Sequence, residues 1–232
     1  MLARHKDDLL KVFSKFFKSG IINVGVNATF LVLLPKKDGA SGLSDYRPIC
    51  LVTNLYKIIA KVLSLRLRKV MAKIISPAQS AFVKGRQIMD RILIANECVD
   101  WFRKKRKYGL VCKIDLEKAY DRVNWEFHFW ALKKRFWCER DKMDNGLLGS
   151  SSFLSSFKSS LERLFKSPRG LRQGDPLSPF LFTIMADAFN ALMTKAKSVS
   201  TIEGFQVRRD GICISHLQYV DDMMCFIEDS EE

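Results

Sequence analysis

The chain has 232 residues, of which 47% are hydrophobic and 11% aromatic, enough to fill a sizeable core and unlike a disordered tail. It carries 39 Lys and Arg against 25 Asp and Glu, a net charge of +14. Such a charge favours polyanionic partners, although a soluble basic protein without any ligand has the same composition.

The cysteines and the N-terminus exclude several other classes of protein. None of the six cysteines belongs to a C-x-x-C pair, so a zinc ribbon is not expected and reduced thiols are the default. The N-terminus is charged too evenly for a signal peptide, and no apolar run approaches the ~20 residues that span a bilayer. We therefore expect a soluble, intracellular chain with no membrane contact and no disulfide-linked partner.

The first elements in chain order are a helix and a hairpin. Residues 7–17 carry apolar side chains at helical spacing. Residues 29–34 form a β-rich apolar run, and a Pro-Lys-Lys-Asp-Gly turn signal at 35–39 leads towards a returning strand at 46–52.

Two longer helices follow, and the first has an apolar stripe on an otherwise basic surface. It covers residues 55–74 and is ended by Ser76 and Pro77, because proline disfavours helical geometry in the residue before it. The stripe consists of Leu55, Ile58, Ile59, Val62, Leu65 or Leu67, Val70 and Ile74. Solvation and nucleic-acid contact explain the basic face of this first helix about equally well. The second helix covers 87–102 and precedes a basic cluster at 103–107, which is better explained as a solvated or template-facing run than as a nuclear localisation signal.

A strand at 110–115 alternates between two faces and ends in a carboxylate, Asp115. After it, the stretch 138–167 is rich in serine and weakly periodic, so we expect a loop or poorly determined structure there.

Recognisable helix and strand patterns resume in the last third of the chain. Ser178 is a natural N-cap with Pro179 at the first helical position, and an apolar helical face runs on to Leu192. Two apolar runs, 212–219 and 223–227, then predict a hairpin with Val220-Asp221-Asp222 at its tip.

The separated carboxylates point to a metal site. Asp115 and Asp221 are 106 positions apart (221 − 115) and could meet only on neighbouring strands of one sheet. Carboxylates held that close repel one another unless cations lie between them. Two Mg²⁺ ions about 4 Å apart suit in-line nucleotidyl transfer, one activating a 3′-hydroxyl and one holding the triphosphate. Taken alone, these residues are better explained as turn aspartates and surface acids, because paired aspartates are common in turns.

Five ordered motifs resemble those of one enzyme family. They are Leu33-Leu34-Pro35-Lys36-Lys37 with Asp45-Tyr46-Arg47-Pro48-Ile49, the segment Gln79 to Arg86, Ile114-Asp115-Leu116-Glu117-Lys118-Ala119-Tyr120-Asp121-Arg122-Val123, Gly170 to Pro179 (GLRQGDPLSP), and Tyr219-Val220-Asp221-Asp222. In this order they resemble the reverse transcriptase of non-LTR (LINE-type) retrotransposons. Group II intron maturases and telomerase-type enzymes share the same palm, and a viral RNA-dependent RNA polymerase fits the motifs less well.

The resemblance implies catalytic roles for three aspartates. Asp115, Asp221 and Asp222 would be catalytic metal ligands for Mg²⁺, for which Mn²⁺ can substitute, and the Leu116 carbonyl would be a further backbone ligand. Tyr120 would be the steric gate that occupies the space needed by a ribonucleotide 2′-hydroxyl. A half-buried core aromatic is the alternative reading of Tyr120.

Further residues would bind the nucleotide. Lys36 and Arg47 would clamp the triphosphate, the arginine as a bidentate fork and the lysine as a point charge. Gln173 would lie near the templating base or the nucleotide. An exposed hairpin edge is the alternative for Lys36 and Lys37.

The implied fold is α+β: polymerase right-hand fingers over 1–107 and a palm over 108–232, with an antiparallel palm sheet packed on helices. The implied partners are an RNA template, a DNA primer and dNTPs, and the family's life cycle implies a nuclear location. The chain ends ten residues after Asp222, and the serine-rich stretch stands where the family has a helix and a hairpin. We therefore expect a truncated copy without a thumb, and a catalytically inactive remnant that at most binds nucleic acid is the alternative function.

Overall fold

The computed structural model describes residues 6–23, 25–138, 169–207 and 212–229, and in these ranges the chain is an α+β protein with antiparallel sheets. The helices are α1 (Lys6–Ser19), α2 (Asn54–Ile74), α3 (Ile88–Lys105), α4 (Trp125–Cys138) and α5 (Ser178–Ser198). The strands are β1 (Thr29–Pro35), β2 (Tyr46–Val52), β3 (Gly109–Asp115), β4 (Phe205–Gln206), β5 (Cys213–Ile214), β6 (His216–Tyr219) and β7 (Asp222–Glu228). No helix in the described ranges is long and apolar enough to cross a membrane.

The chain forms two compact units, each built from two stretches of sequence. The first contains Met1–Arg66 and Tyr120–Pro179, and the second contains Leu67–Ala119 and Phe180–Glu232. The division into fingers over 1–107 and palm over 108–232 concerns roles in the family and stays a prediction.

The first unit begins with the predicted helix and hairpin, and both are confirmed. α1 buries Phe16 and ends where the Gly20 N–H donates to the Phe16 carbonyl, with Gly20 in the left-handed conformation that favours glycine. β1 and β2 pair antiparallel over seven positions, from Thr29 opposite Val52 to Pro35 opposite Tyr46.

The predicted extent of α2 is confirmed, but its predicted apolar stripe is partly wrong. Ile58 and Val62 are exposed, and of the two alternatives Leu65 and Leu67 it is Leu67 that is buried. The apolar side chains that the helix buries are Tyr56, Ile59, Ala60, Leu63, Leu67, Val70, Met71 and Ile74. Because apolar residues occur on more than one side of this helix, periodicity alone cannot decide which side packs.

α4 is a helix that the sequence analysis did not assign. Its start is capped by the Asn124 side-chain oxygen, which accepts hydrogen bonds from the Glu126 and Phe127 N–H groups at 2.8 and 3.1 Å. The helix buries Trp125, His128 and Leu132 on one side. Of the predicted irregular stretch 138–167, only Cys138, at the end of α4, lies among the described residues.

A three-stranded sheet in the order β3-β7-β6 organises the second unit. β3 and β7 pair over seven positions, from Gly109 opposite Glu228 to Asp115 opposite Asp222. The predicted strand 212–219 is divided into β5, which pairs with β4, and β6, which pairs with β7. The hairpin turn contains only Val220 and Asp221, so Asp222 begins β7 instead of lying at the tip.

An aromatic core fixes one face of this sheet. Phe226 is fully buried with Phe205 and Phe102, and the Phe102 and Phe205 rings stack with centroids 3.5 Å apart. Gly109 lies directly against Phe205: a Cβ at this position would be 2.6 Å from a ring carbon. The absence of a side chain at position 109 therefore allows β3 to approach the core.

We predict that Gly109→Ala lowers the free energy of unfolding by roughly 1–3 kcal/mol, the usual cost of overpacking a core. Gly42→Ala is the matched control, because a Cβ there meets nothing nearer than 3.6 Å. Urea unfolding of both variants measures the difference, and equal stability of the two would contradict the packing at Phe205.

A second prediction concerns pH. Among the described residues neither ring nitrogen of the buried His128 has a hydrogen-bond partner, and burial lowers its pKa from 6.5 to about 4. Because the unfolded chain then binds a proton at higher pH than the folded chain, stability is lost as the pH falls from about 6.5 to about 4. The loss attributable to His128 should be roughly 2–3 kcal/mol.

Urea unfolding between pH 7 and pH 4 tests the effect, with His128→Phe as the variant that cannot titrate. The variant should lose less stability on acidification than the wild type. His216 remains in both proteins, so its own lowered pKa cancels in the comparison. Parallel pH profiles would exclude His128 as a source of acid sensitivity.

Candidate active site

Two of the predicted catalytic aspartates lie directly opposite each other on neighbouring strands of the sheet in the second unit. Asp115 is the last residue of β3 and its Cα partner is Asp222, the first residue of β7. Both residues are exposed, and directly opposite positions of an antiparallel pair put their side chains on the same face. The half-buried Tyr219 on β6 is the next residue in this row.

The pair is electrostatically unfavourable as it stands. Like charges at directly opposite positions destabilise a sheet. Lys113, on the same face of β3, offsets part of this repulsion with an ion pair of 3.3 Å to the Asp222 carboxylate. Both side chains of that pair are more than half exposed, so solvent screening keeps the attraction weak.

The third aspartate lies in a strained turn. Tyr219 and Asp222 are Cα partners, which leaves Val220 and Asp221 as a two-residue connection. Val220 has φ of 56°, a conformation that is rare for a β-branched residue and costs about 1–3 kcal/mol. Such a turn places the half-buried Asp221 directly beside the paired carboxylates in sequence.

The donor set suits a hard divalent cation. In the described ranges no group of three or more His, Cys, Asp or Glu side chains is arranged to hold a metal ion. Mg²⁺ is commonly held by only one or two carboxylates, with water and substrate phosphate oxygens completing its shell. Asp115 and Asp222 fit that requirement, because they are exposed oxygen donors from facing strands.

The predicted triphosphate clamp belongs to the hairpin of the first unit. The Lys36 N–H donates to the Asp45 carbonyl at 2.8 Å, and Arg47 pairs with Leu34, so Lys36 and Arg47 occupy diagonal positions on one face. The Lys36 ammonium donates to the Ser44 carbonyl at 2.8 Å. Both side chains belong to exposed residues.

Lys37 has a different partner. Its ammonium lies 2.9 Å from the Asp45 carboxylate and, with the Gly42 and Ser41 N–H groups, lowers the pKa of Asp45. Lys37 therefore stabilises the loop of the hairpin.

In the first unit, hydrogen bonds connect the segments that carry Tyr120 and Gln173. The Leu171 N–H donates to the Tyr120 carbonyl at 2.8 Å, and the Gln173 side chain donates to Asp121 at 3.1 Å. Gly170 allows this approach, since it has φ of +99° and a Cβ there would lie 3.3 Å from the Asp121 carbonyl oxygen.

The Gly170–Pro179 motif also contacts β2. The Cys50 N–H donates to the Gln173 carbonyl at 2.8 Å, and Gly174 follows with φ of +92° close to Ile49. The motif residues Tyr120 and Gln173 thus belong to the same unit as Lys36 and Arg47, while Asp115, Leu116, Asp221 and Asp222 belong to the other.

Two residues of this motif have supporting contacts that the sequence analysis did not assign. The Arg172 guanidinium donates to the Asn27 carbonyl at 2.9 Å and lies 4.7 Å from the centroid of the Tyr56 ring. The buried Asp175 accepts hydrogen bonds from the Leu177 and Ser178 N–H groups at 3.2 and 3.1 Å, and burial raises its pKa. The motif G-L-R-Q-G-D-P indicated that Arg172 and Asp175 matter, but it could not predict which groups they contact.

Ser178 was predicted to be the N-cap that precedes α5, but it is the first residue of this helix, and the acceptor at this end is Asp175. The Asp175 carboxylate accepts from both the Ser178 hydroxyl and its N–H, each at 3.1 Å. An acidic group is favourable at this end of a helix because of the helix dipole.

Comparison with known proteins identifies the motifs as parts of one family. A model of the family "Reverse transcriptase (RNA-dependent DNA polymerase)" matches residues 34–232. The chain is 29% identical over 223 residues to the transposon TX1 uncharacterized 149 kDa protein of Xenopus laevis, covering 96% of this chain and 17% of that protein. It is 27% identical over 201 residues to the Pol polyprotein of the type-1 retrotransposable element R2 of Popillia japonica, covering 86% of this chain and 27% of that polyprotein.

Solved structures show a similar fold at low sequence identity. Apo telomerase from Candida tropicalis, truncated from its C-terminal domain, superposes with a TM-score of 0.54 at 16% identity and covers 95% of this chain and 48% of that one. The telomerase of the same organism in complex with the TWJ fragment of telomeric RNA has a TM-score of 0.54 at 16% identity, covering 97% and 40%. The chain thus spans 17% and 27% of the lengths of these two relatives and less than half of the telomerases.

The facing carboxylates generate a stability prediction. In EDTA and at low salt, Asp115→Asn should raise the free energy of unfolding by roughly 0.2–1 kcal/mol, the range of cross-strand pair energies, because it removes a like-charge contact. Asp229→Asn removes the same charge from an exposed residue of the same unit and should not stabilise the chain. Urea unfolding of the two variants decides, and an equal shift in both would show that net charge alone is responsible.

Proposed function

The chain belongs to the reverse transcriptase family, and on that premise we propose that it carries the fingers and palm of an RNA-directed DNA polymerase. The reaction transfers deoxynucleoside monophosphates from dNTPs to a primer 3′-hydroxyl on an RNA or DNA template and releases pyrophosphate. The observation that supports this function best is the register of β3 and β7, in which Asp115 faces Asp222 and Asp221 lies in the adjoining turn.

Mg²⁺ is the proposed ion, as reverse transcriptases use divalent metals. When bound, it would make the 3′-hydroxyl more acidic and neutralise charge on the transferred phosphate. Asp115, Asp221 and Asp222 would supply its carboxylate oxygens, and the Leu116 carbonyl would be an additional hard donor.

The nucleotide would be held by residues of the first unit. Lys36 and Arg47 present cationic groups on one face of the exposed hairpin, which suits a triphosphate. Tyr120 is half-buried and its carbonyl is fixed by Leu171, so its ring is suited to exclude a 2′-hydroxyl. Gln173 is fixed by Asp121 and by Cys50, which suits a residue that must contact a base or nucleotide in one orientation.

The net charge of +14 supports binding to a nucleic-acid template and primer. It supports equally the second candidate, a remnant that binds nucleic acid without catalysing its extension. Catalysis and binding must therefore be measured separately on the same proteins.

We predict that the purified chain extends oligo(dT) on poly(rA) with dTTP and Mg²⁺. Asp115→Asn and Asp222→Asn should each reduce extension at least about a hundredfold, because each removes a charged metal ligand that contributes several kcal/mol at the transition state. Asp229→Asn should retain wild-type extension, and a reaction with Mn²⁺ in place of Mg²⁺ tests the choice of ion.

Fluorescence anisotropy of the labelled primer-template provides the second readout. All four proteins should bind it with similar affinity in low salt, since binding depends on the basic surface. Binding without extension in the wild type would reject the polymerase and support the remnant. Extension that is equal in the wild type and both site variants would reject the proposed metal ligands.

A further inference from the structure

The turn that carries Asp221 needs an external constraint. Val220 has φ of 56°, at a turn position where glycine is the residue that adopts positive φ without steric cost. A β-branched residue keeps such a conformation only when its surroundings hold it there. In the second unit, the segment 78–80 supplies contacts of this kind.

Gln79 bonds both backbone polar groups of Val220. The Val220 N–H donates to the Gln79 side-chain oxygen at 3.2 Å, and the Gln79 side-chain NH₂ donates to the Val220 carbonyl at 3.4 Å. The same side-chain oxygen accepts the Ala81 N–H at 2.9 Å, and Gln79 is completely buried. The carboxamide thus acts on Val220 as the peptide group of a neighbouring strand would.

Main-chain hydrogen bonds fix the position of Gln79 along β6. The Gln218 N–H donates to the Ala78 carbonyl at 2.9 Å, and the Ser80 N–H donates to the Gln218 carbonyl at 3.1 Å. Gln79 and Gln218 are therefore paired as in a parallel ladder. The ladder ends there, and the Gln79 side chain continues it by two residues to Val220.

Arg86 binds the segment that carries Gln79 to the end of α2. Its guanidinium donates to the carbonyls of Ser76 and Gln79 and, at 3.1 Å, to the carbonyl of Ile75. Ile75 and Ser76 directly follow α2, where carbonyls lack helical partners. The segment from Gln79 to Arg86 is thereby tied to the end of a helix and cannot follow the turn if the turn moves.

We propose that Gln79 is a positioning residue for the catalytic turn: its side chain holds Val220 in the left-handed conformation and so keeps Asp221 and Asp222 in place relative to Asp115. This role rests on the proposed function, because it assumes that the aspartates bind a divalent ion. The alternative is that Gln79 is a buried amide whose loss lowers stability without a specific effect on the turn.

The variants Gln79→Met and Gln79→Asn distinguish the two. Methionine fills a similar volume without polar groups, and asparagine keeps the amide but is one methylene too short to reach Val220. Gln218→Met is the matched control, because Gln218 is a buried glutamine on β6 whose side chain donates to the Ala186 carbonyl instead. If the methionine variant fails to fold, the asparagine variant carries the test.

Two readouts do not depend on catalysis. Exchange of the Val220 amide hydrogen should be at least about tenfold faster in both Gln79 variants, as expected when a buried hydrogen bond is lost. Mn²⁺ affinity, measured from the electron paramagnetic resonance signal of the free ion, should weaken about five- to tenfold for the same reason. Gln218→Met should leave both values within about twofold of wild type, since it breaks no contact to the turn.

A double-mutant cycle links the effect to backbone strain. Val220→Gly adopts positive φ without steric cost, so Gln79→Met should weaken Mn²⁺ binding less than about twofold in that background. An undiminished effect in the glycine background would overturn the positioning role. So would equal effects of Gln79→Met and Gln218→Met, or a wild-type chain that binds no Mn²⁺.

Primer extension by the same proteins separates this role from the proposed function. If the wild type extends primers, the Gln79 variants should lower kcat while the KM for dTTP stays unchanged, because they leave the hairpin with Lys36 and Arg47 intact. A wild type that binds Mn²⁺ with the predicted contrasts but extends nothing would reject the polymerase and support the positioning role. Extension without any contrast between Gln79 and Gln218 variants would reject the positioning role alone.

Discussion

Repulsion between two carboxylates at the end of one antiparallel ladder is the constraint on which the second unit depends. Asp115 and Asp222 face each other only because seven consecutive pairs fix the register of β3 and β7. Four residues beyond Asp222 on the same face, Phe226 is buried against the aromatic core. Burial of apolar rings at one end of the ladder therefore offsets the repulsion at its other end.

The first unit uses backbone conformation for a comparable purpose. Gly170 and Gly174 both have positive φ, and the segment between them bonds to Tyr120 on one side and to Cys50 on the other. As a result, a glutamine and a tyrosine that are 53 positions apart (173 − 120) are held by main-chain contacts, whose geometry varies less than that of long side chains. The hairpin of β1 and β2 contributes positive charge to this unit, because Lys36 and Arg47 lie on one of its faces.

Sequence patterns predicted well the elements whose local signals agree with their packing. The hairpin at 29–52 and the strand ending at Asp115 are examples, because alternation and turn residues specify both. Asp222 was placed in the turn because a Tyr-Val-Asp-Asp run does not reveal that a two-residue turn ends at Asp221. The helix α4 was missed, since its Asn124 cap and its buried Trp125 and Leu132 precede a stretch without clear periodicity.

Other features depend on contacts that no local pattern encodes. Gln79 and Val220 are 141 positions apart, and their hydrogen bonds follow only from the way the segment 78–80 extends β6. The motif around Gln79 was recognised as part of a family, but the family wording does not say what its side chain touches. Likewise, the side of α2 that packs was decided by tertiary partners and not by its own periodicity.

The register of β3 and β7 also determines which genetic changes this site can survive. Within the ladder, positions such as Val111 and Met224 can exchange one apolar residue for another while every pair stays in place. Deleting or inserting a single codon in β3 is different, because it shifts every following residue to the opposite face of the sheet. Asp115 would then face away from Asp222 although no catalytic codon had changed. A deletion or insertion of one codon in β3 therefore abolishes the facing pair in a single step, whereas the exchange of one apolar residue for another in the same strand leaves the pair in place.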